Sequence, residues 1–246
     1  MKNLCVKWSH LALGASLVVS SLVGSQASAQ NTEVIRKNLA TNLPQLSQVD
    51  EISATPMAGL YEVRVGSDVL YTDRTGSFVL QGELIDAKAK RNLTQERLRD
   101  LSKIDFAALP LADAFVQVRG DGSRELAIFV DPNCGYCKQF ERDMAKLDNV
   151  TVHVFLYPIL SQDSVDKSRN ILCAADQDAT WTNWMIKGVQ PPSVAACDKD
   201  AVLQRNLAFG QQHKISGTPT IFFKDGSRVP GAVPVEQVEQ KLRSLP

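Results

Sequence analysis

The sequence predicts a two-part chain: a small α+β unit, a helical linker, and a larger α/β unit carrying a helical insertion. Three observations predict it. Residues Gly59 to Gly66 alternate apolar Tyr61, Val63 and Val65 with charged Glu62 and Arg64, the period of a half-buried strand. A charge-rich stretch, Lys88 to Lys103, then separates this region from the next. From Phe115 onward, apolar runs alternate with helical patterns, as in a mixed sheet covered by helices on both faces.

The first 29 residues read as a secretory signal peptide. Lys2 and Lys7 form a basic start, Leu11 to Val23 is an apolar run, and Ala27-Ser28-Ala29 has the small-x-small form of a cleavage site, with cleavage expected after Ala29. The run is too short to cross a hydrocarbon core of about 30 Å as a helix. Cys5 precedes the run and is not placed as a lipid attachment site. Loss of Lys2 and Lys7 leaves 25 basic against 27 acidic residues, a net charge of −2. That balance argues against nucleic acid or an anionic membrane surface as a partner. Export to the periplasm puts the four remaining cysteines in an oxidising compartment, where disulfides persist.

Residues 30–90 predict the small unit. Thr32 to Leu43 fits a short helix with Val34, Ile35 and Leu39 on one face, ended by Pro44. Gln48 to Ala54 and Gly59 to Gly66 read as strands, followed by a turn at Gly66-Ser67-Asp68, a strand at Val69 to Thr72, a turn at Arg74-Thr75-Gly76 and a strand at Ser77 to Leu84. A unit of roughly 60 residues is near the size at which a lone core is marginal. No cysteine staples it, so its last strand is expected to pair with a second copy of the chain, making this a dimerisation domain. Residues 91–109 form the linker. Thr94 is placed as an N-cap, Leu98, Leu101 and Ile104 follow at helical spacing, and Pro110 closes an exposed helix of about 12–15 residues, on the order of 20 Å long.

Residues 110–246 predict the larger unit. Glu125 to Asp131 and Asn149 to Tyr157 are strands on either side of a helix at Tyr136 to Leu147. Ser161 to Lys187 and Asp200 to Lys214 are mostly helical. Thr218 to Lys224 and Arg228 to Gly231 form a hairpin around Asp225-Gly226-Ser227, and Pro234 to Leu245 is a last helix with proline in its first turn. Trp181, Trp184, Met144 and Met185 are assigned to the core, and Lys138 to solvent without a role.

The stretch Asp131-Pro132-Asn133-Cys134-Gly135-Tyr136-Cys137 places two thiols where a strand gives way to a helix. Structural zinc wants two close knuckles, and Cys173 and Cys197 are too far apart to make the second, so no metal is expected. A disulfide between Cys173 and Cys197 closes a loop of about 25 residues, worth roughly 3–4 kcal/mol on the chain-entropy model. One between Cys134 and Cys137 closes almost none and removes little entropy. Four cysteines allow three connectivities; the preferred one makes Cys173–Cys197 structural and leaves Cys134/Cys137 labile. Unpaired N–H groups at a helix N-terminus favour a thiolate at Cys134. A thiol of pKa about 8.5 is about 3% ionised at pH 7 and one near 6 about 90%, while intrinsic nucleophilicity falls over the same shift. The gain is therefore mainly in leaving-group ability: Cys134 attacks and departs, and Cys137 resolves. Downstream, Ser216-Gly217-Thr218-Pro219-Thr220 opens a buried apolar strand, which is unusual strand chemistry for proline unless the chain turns there.

Cys-x-x-Cys between strand and helix, with Gly-Thr-Pro before a hairpin and a final helix, resembles the thioredoxin fold. The resemblance implies that Pro219 is cis and lies against the cysteine pair, that Thr218 offers its backbone to a substrate strand, and that Gly135 and Tyr136 tune the redox pair. The mature chain as a whole resembles the DsbC family of bacterial periplasmic disulfide isomerases. The features that carry it are the signal peptide, the small sheet domain, the charged linker, Cys134-Gly135-Tyr136-Cys137, the second pair Cys173/Cys197, and Leu70-Tyr71-Thr72-Asp73 followed by Phe78-Val79-Leu80-Gln81-Gly82. The last two stretches resemble that family's dimerising strands. The resemblance implies a V-shaped homodimer with an uncharged, apolar-lined cleft. It also implies misfolded disulfide-containing exported proteins as substrates, a membrane-bound thiol reductase as electron donor, and no cofactor. Two departures stand out. Ile128 occupies the position where many thioredoxins carry a buried Asp, and Thr220 stands where a smaller residue is common; Asp131 is read as a loop cap. A dithiol oxidase of the same fold and a non-enzymatic chaperone remain the alternative readings.

Overall fold

The structure is a computed structural model that describes residues 23–194, 197 and 199–245, with the backbone alone for 23–29. The basic start, most of the apolar run and Cys5 of the expected signal peptide lie outside the described residues. No described helix is long and apolar enough to cross a membrane. Contacts divide the chain into two compact units, the first ending at Thr94 and the second beginning at Gln95.

The first unit is a helix on an antiparallel sheet. Helix α1 (Val23–Asn42) begins nine residues before the predicted start and runs through Ala29. It buries Ile35 and Leu39 against Val49, Tyr61 and Val63. Strands β1 (Glu51–Ala54), β2 (Leu60–Val65), β3 (Asp68–Asp73) and β4 (Val79–Leu80) lie in that order, each antiparallel to the next. Tyr61 and Val63 face the helix while Glu62 and Arg64 face away, the alternation legible in the sequence. Gly76 has a positive φ of 69°, and a Cβ there would meet the Ile35 carbonyl oxygen at 3.0 Å, so only glycine lets this turn approach the helix.

The predicted strand Ser77–Leu84 shrinks to two residues. The Asp73 carboxylate accepts from the N–H groups of Ser77 and Phe78 at 2.8 and 3.0 Å, which removes them from the ladder. Phe78, Val79 and Leu80 are left exposed, Phe78 by 77%. A short ribbon of β5 (Ile85–Asp86) and β6 (Arg91–Asn92) leads into α2 (Leu93–Leu101). Thr94 does not cap this helix: it lies inside the first turn, buried, where its hydroxyl accepts from Leu84 N–H at 2.8 Å and bonds Tyr71. The helix is also shorter than predicted, because the chain turns at Asp105, whose side chain caps a 3-10 turn that buries Phe106.

The second unit is a five-stranded mixed sheet in the order β11-β10-β8-β9-β7. Its strands are β7 (Phe115–Arg119), β8 (Arg124–Val130), β9 (Val150–Leu156), β10 (Thr220–Phe223) and β11 (Arg228–Pro230). Only β8 and β9 are parallel. The five residues Leu126–Val130 are all buried because both faces are covered. Leu126, Ile128 and Val130 pack with Phe140, Met144, Trp181, Val238 and Leu242; Ala127 and Phe129 pack with Phe155, Tyr157, Phe222 and Phe106. Ile128 is thus core. The helices are α3 (Gly135–Met144), α4 (Gln162–Leu172), α5 (Gln177–Lys187), α6 (Asp200–Gln212) and α7 (Val235–Arg243). The predicted helical stretch Ser161–Lys187 is two helices, because Ser161 caps the first and Asp176 the second, accepting from Ser164 N–H and Ala179 N–H. Cys173 ends α4 and is disulfide-bonded to Cys197, with Cα atoms 5.8 Å apart.

Candidate active site

Strand β8 delivers its chain to the C-terminal end of the sheet, where Asp131 is fully buried. One oxygen of its carboxylate accepts from Asn133 N–H and Ser164 O–H, both at 2.8 Å; the other accepts from Ile159 N–H at 2.9 Å and Leu160 N–H at 3.0 Å. Four donors satisfy a charge that burial would otherwise make costly. The turn is held from another side by Trp184, whose indole N–H donates to the Pro132 carbonyl at 2.6 Å. Asn133 reaches across to Asp163 at 2.7 Å.

From this turn the chain enters α3 with Cys134 at the N-cap. Its sulfur takes the place of a capping oxygen and accepts from Cys137 N–H at 3.4 Å. Three residues on, Cys137 lies beneath it. Both are free thiols; Cys134 is 7% exposed and Cys137 1%. Gly135 and Tyr136 sit between them at the surface, with Tyr136 73% exposed. A Cβ on Gly135 would meet nothing within 4 Å, so the helix surface beside the cysteine pair is uncovered at that residue.

The loop before β10 closes the other side. The Thr218–Pro219 bond is cis, and the Thr218 carbonyl oxygen lies 3.3 Å from Cys134 Sγ. Thr220, a departure noted in the sequence, is buried and donates to the Gly217 carbonyl at 2.8 Å, tying down this loop. The structure therefore brings Cys134, Gly135, Tyr136, Cys137, Thr218 and Pro219 together. It places Cys173 and Cys197 elsewhere, joined to each other and so unable to complete a thiolate zinc site.

The two sulfurs differ in electrostatics. The Cys134 thiol is lowered from 9.0 to about 5. The largest cause is hydrogen bonding from the Cys137 side chain, followed by the Thr218 side chain and the N–H groups of Cys137 and Tyr136, against an opposing effect of burial. The Cys137 thiol is pushed far up, chiefly by burial and then by its bond to Cys134. One sulfur is an anion at the helix N-terminus, the other a protonated donor behind it.

Sequence reasoning credited the helix terminus for this polarisation and missed the partner thiol, although the three-residue spacing carries it. Lys138, assigned to solvent without a role, is part-buried, and its ammonium lies 4.1 Å from the Trp184 ring centroid. Glu141 was not singled out either. It is buried on α3 and accepts from Gln117, Arg119 and Trp181, fixing the helix that carries both cysteines. No spacing in the sequence marks it.

Residues 111–246 match the family of thioredoxin-like domains, and residues 25–95 match the N-terminal domain of the disulfide bond isomerase protein. The probable thiol:disulfide interchange protein DsbC of Bordetella parapertussis is 46% identical over 218 residues, 89% of this chain and 76% of that one. The chain belongs to the DsbC family. The thiol:disulfide interchange protein DsbC of Escherichia coli is 28% identical over 200 residues, covering 78% of this chain and 80% of its own. Among solved structures, a disulfide interchange protein from Neisseria gonorrhoeae is 35% identical with a TM-score of 0.52, spanning 55% of this chain and 97% of that one. This DsbC-family chain therefore pairs a thioredoxin-like domain with an N-terminal domain of its family's own kind.

Proposed function

We propose that this chain isomerises or reduces incorrect disulfides in exported proteins, with Cys134 as the attacking sulfur and Cys137 as the resolving one. The observation that carries the reading is a sulfur at the N-terminus of α3, held as a thiolate in the N-cap position, with a protonated thiol buried behind it. Cys134 attacks one sulfur of a substrate disulfide. A new S–S bond joins enzyme to substrate, and the other substrate sulfur leaves as a thiolate. When that thiolate attacks a different substrate disulfide, and a substrate thiolate finally displaces Cys134, the disulfides are rearranged with no net electron transfer. When Cys137 attacks Cys134 instead, substrate leaves reduced, its thiolate taking up a proton, and the enzyme pair is oxidised. Each such cycle needs two electrons, which a membrane-bound thiol reductase would return.

The surroundings of the pair support the remaining roles. The Thr218 carbonyl beside Cys134 is an acceptor for the backbone of an extended substrate. The Tyr136 N–H helps hold the Cys134 anion, Gly135 and Tyr136 are both exposed, and the Cys173–Cys197 disulfide braces the helical insertion. The organisation read from the sequence is a signal peptide over 1–29, a dimerisation domain over 30–90, a linker over 91–109 and a catalytic domain over 110–246. It assigns the protein to the periplasm as a homodimer. The exposed Val79 and Leu80 on the edge strand β4, with exposed Phe78 just before it, support pairing there.

Refolding of a substrate with scrambled disulfides tests the reading. Cys134→Ser is expected to abolish reshuffling, and Cys137→Ser to retain part of it while trapping enzyme–substrate mixed disulfides. Full reshuffling by Cys134→Ser would overturn the assignment. The thiol state trapped in cells separates isomerase from oxidase: a reduced pair supports the former, an oxidised pair the latter.

A further inference from the structure

The cysteine turn has two flanks, and the proposed function uses only one of them. At this end of the sheet β8 lies between β10 and β9. Strand β10 is antiparallel to β8 and starts here, so the Thr218–Pro219 loop occupies one flank. Strand β9 is parallel to β8 and finishes here, with Leu156 opposite Val130. Its exit, Tyr157-Pro158-Ile159-Leu160-Ser161, therefore occupies the opposite flank, about 4.8 Å from β8 at the strand spacing.

That exit loop carries no charge, and its shape is fixed. Asp131, the residue that shapes the cysteine turn, also holds it: the N–H groups of Ile159 and Leu160 both point inward to one carboxylate oxygen. Tyr157 and Pro158 are buried, whereas Ile159 is 38% exposed and Leu160 57%. The backbone alone supplies the contacts to Asp131, which makes no demand on the side chains at 159 and 160. Two adjacent aliphatic side chains held outward beside the cysteine turn thus call for a reason other than packing.

We propose that Ile159 and Leu160 form an apolar ledge that receives a large apolar side chain next to the cysteine of a bound, non-native substrate segment. This rests on Cys134 being the sulfur that takes substrate. Once a substrate cysteine is bonded to Cys134, an extended chain advances about 3.3–3.6 Å per residue. A segment whose one side runs along Thr218 must carry its other side toward the β9 exit within one or two residues. Tyr136, on the same turn, is 73% exposed. In a correctly folded protein the apolar neighbours of a disulfide are mostly buried; beside a wrong disulfide they are exposed. The ledge favours the second kind of substrate at the point of attack itself.

The test compares three substrates of the full mature chain in its reduced form. Two are disulfide-bearing peptides that differ only in having Leu or Asp two residues from the attacked cysteine; the third is oxidised glutathione. Leu160→Ser and Ile159→Ser should each slow reduction of the Leu peptide roughly fivefold to tenfold, as expected for losing part of one buried aliphatic side chain. Rates with the Asp peptide and with glutathione should change less than about twofold. An equal loss on all three substrates, or no loss on any, overturns the ledge. Cys134→Ser is run alongside: turnover surviving in that variant would overturn the reading of the reactive sulfur, whatever the ledge variants show.

Discussion

Cys134 does two jobs with one sulfur atom: it caps a helix and it is the candidate nucleophile. Both favour the anion, since a thiolate accepts the Cys137 N–H better than a thiol does. The leading contribution to its acidity comes from the Cys137 side chain. Cys137→Ala should therefore raise the ionisation midpoint of Cys134 more than Cys137→Ser, which keeps an O–H donor; alkylation rates against pH would show the order. Stability follows the same linkage. The folded pKa of about 5 lies below the ordinary 9.0, so the thiolate stabilises the reduced protein fully above pH 9 and loses that contribution as pH falls toward 5. Cys137 is raised, so its contribution is constant below pH 9 and is lost only above it. The melting temperature of reduced wild type relative to Cys134→Ser should accordingly climb between about pH 5 and pH 8. Asp131 is the other sensitive residue. Asp131→Ala leaves four donors without an acceptor and should cost about 3–5 kcal/mol of stability in denaturant unfolding. The cysteine pair and Thr218-Pro219 were legible from residue type and spacing. The roles of Glu141 and Trp184 were not, because each depends on partners between 22 and 52 positions away on other elements.

The elements whose pattern is local were readable in advance. The alternation in β2 and the apolar run of β8 reside in a few consecutive residues, whereas the break between α4 and α5, set by the Asp176 cap, went unread. Boundaries failed where a side chain from elsewhere took over a backbone group, as Asp73 does at Ser77 and Phe78 and as Thr94 does at Leu84. Strand β7 had no clear signal, since its antiparallel pairing with β9 leaves Val116 and Val118 exposed at the sheet edge. Close packing of α6 is equally invisible in sequence. A Cβ on Gly210 would lie 2.3 Å from the Tyr157 ring, whose hydroxyl donates to the Ile215 carbonyl at 3.0 Å. Gly210→Ala should destabilise the second unit by about 1–3 kcal/mol. Replacing both Cys173 and Cys197 by Ala should cost roughly 3–4 kcal/mol while leaving the Cys134 midpoint in place, because the disulfide constrains the unfolded chain and touches no part of the thiol pair.

At the scale of the molecule, the proposed function divides the work between the two units, pairing in the first and thiol chemistry in the second, and each is tested separately. Phe78→Asp with Leu80→Asp alters side chains that the first unit leaves exposed. It should halve the mass found by light scattering and leave the chemistry of Cys134 unchanged, since charge on an apolar edge opposes pairing without touching the core. The proposed chemistry of the chain, from attack on a substrate disulfide to release of the mixed disulfide, follows from the acidity of one sulfur. The most direct measurement is the rate of alkylation of reduced, full mature protein by iodoacetamide from about pH 3 to about pH 10. A midpoint near pH 5 is the expected result; a midpoint near the 8.5 of an ordinary free cysteine would contradict the account.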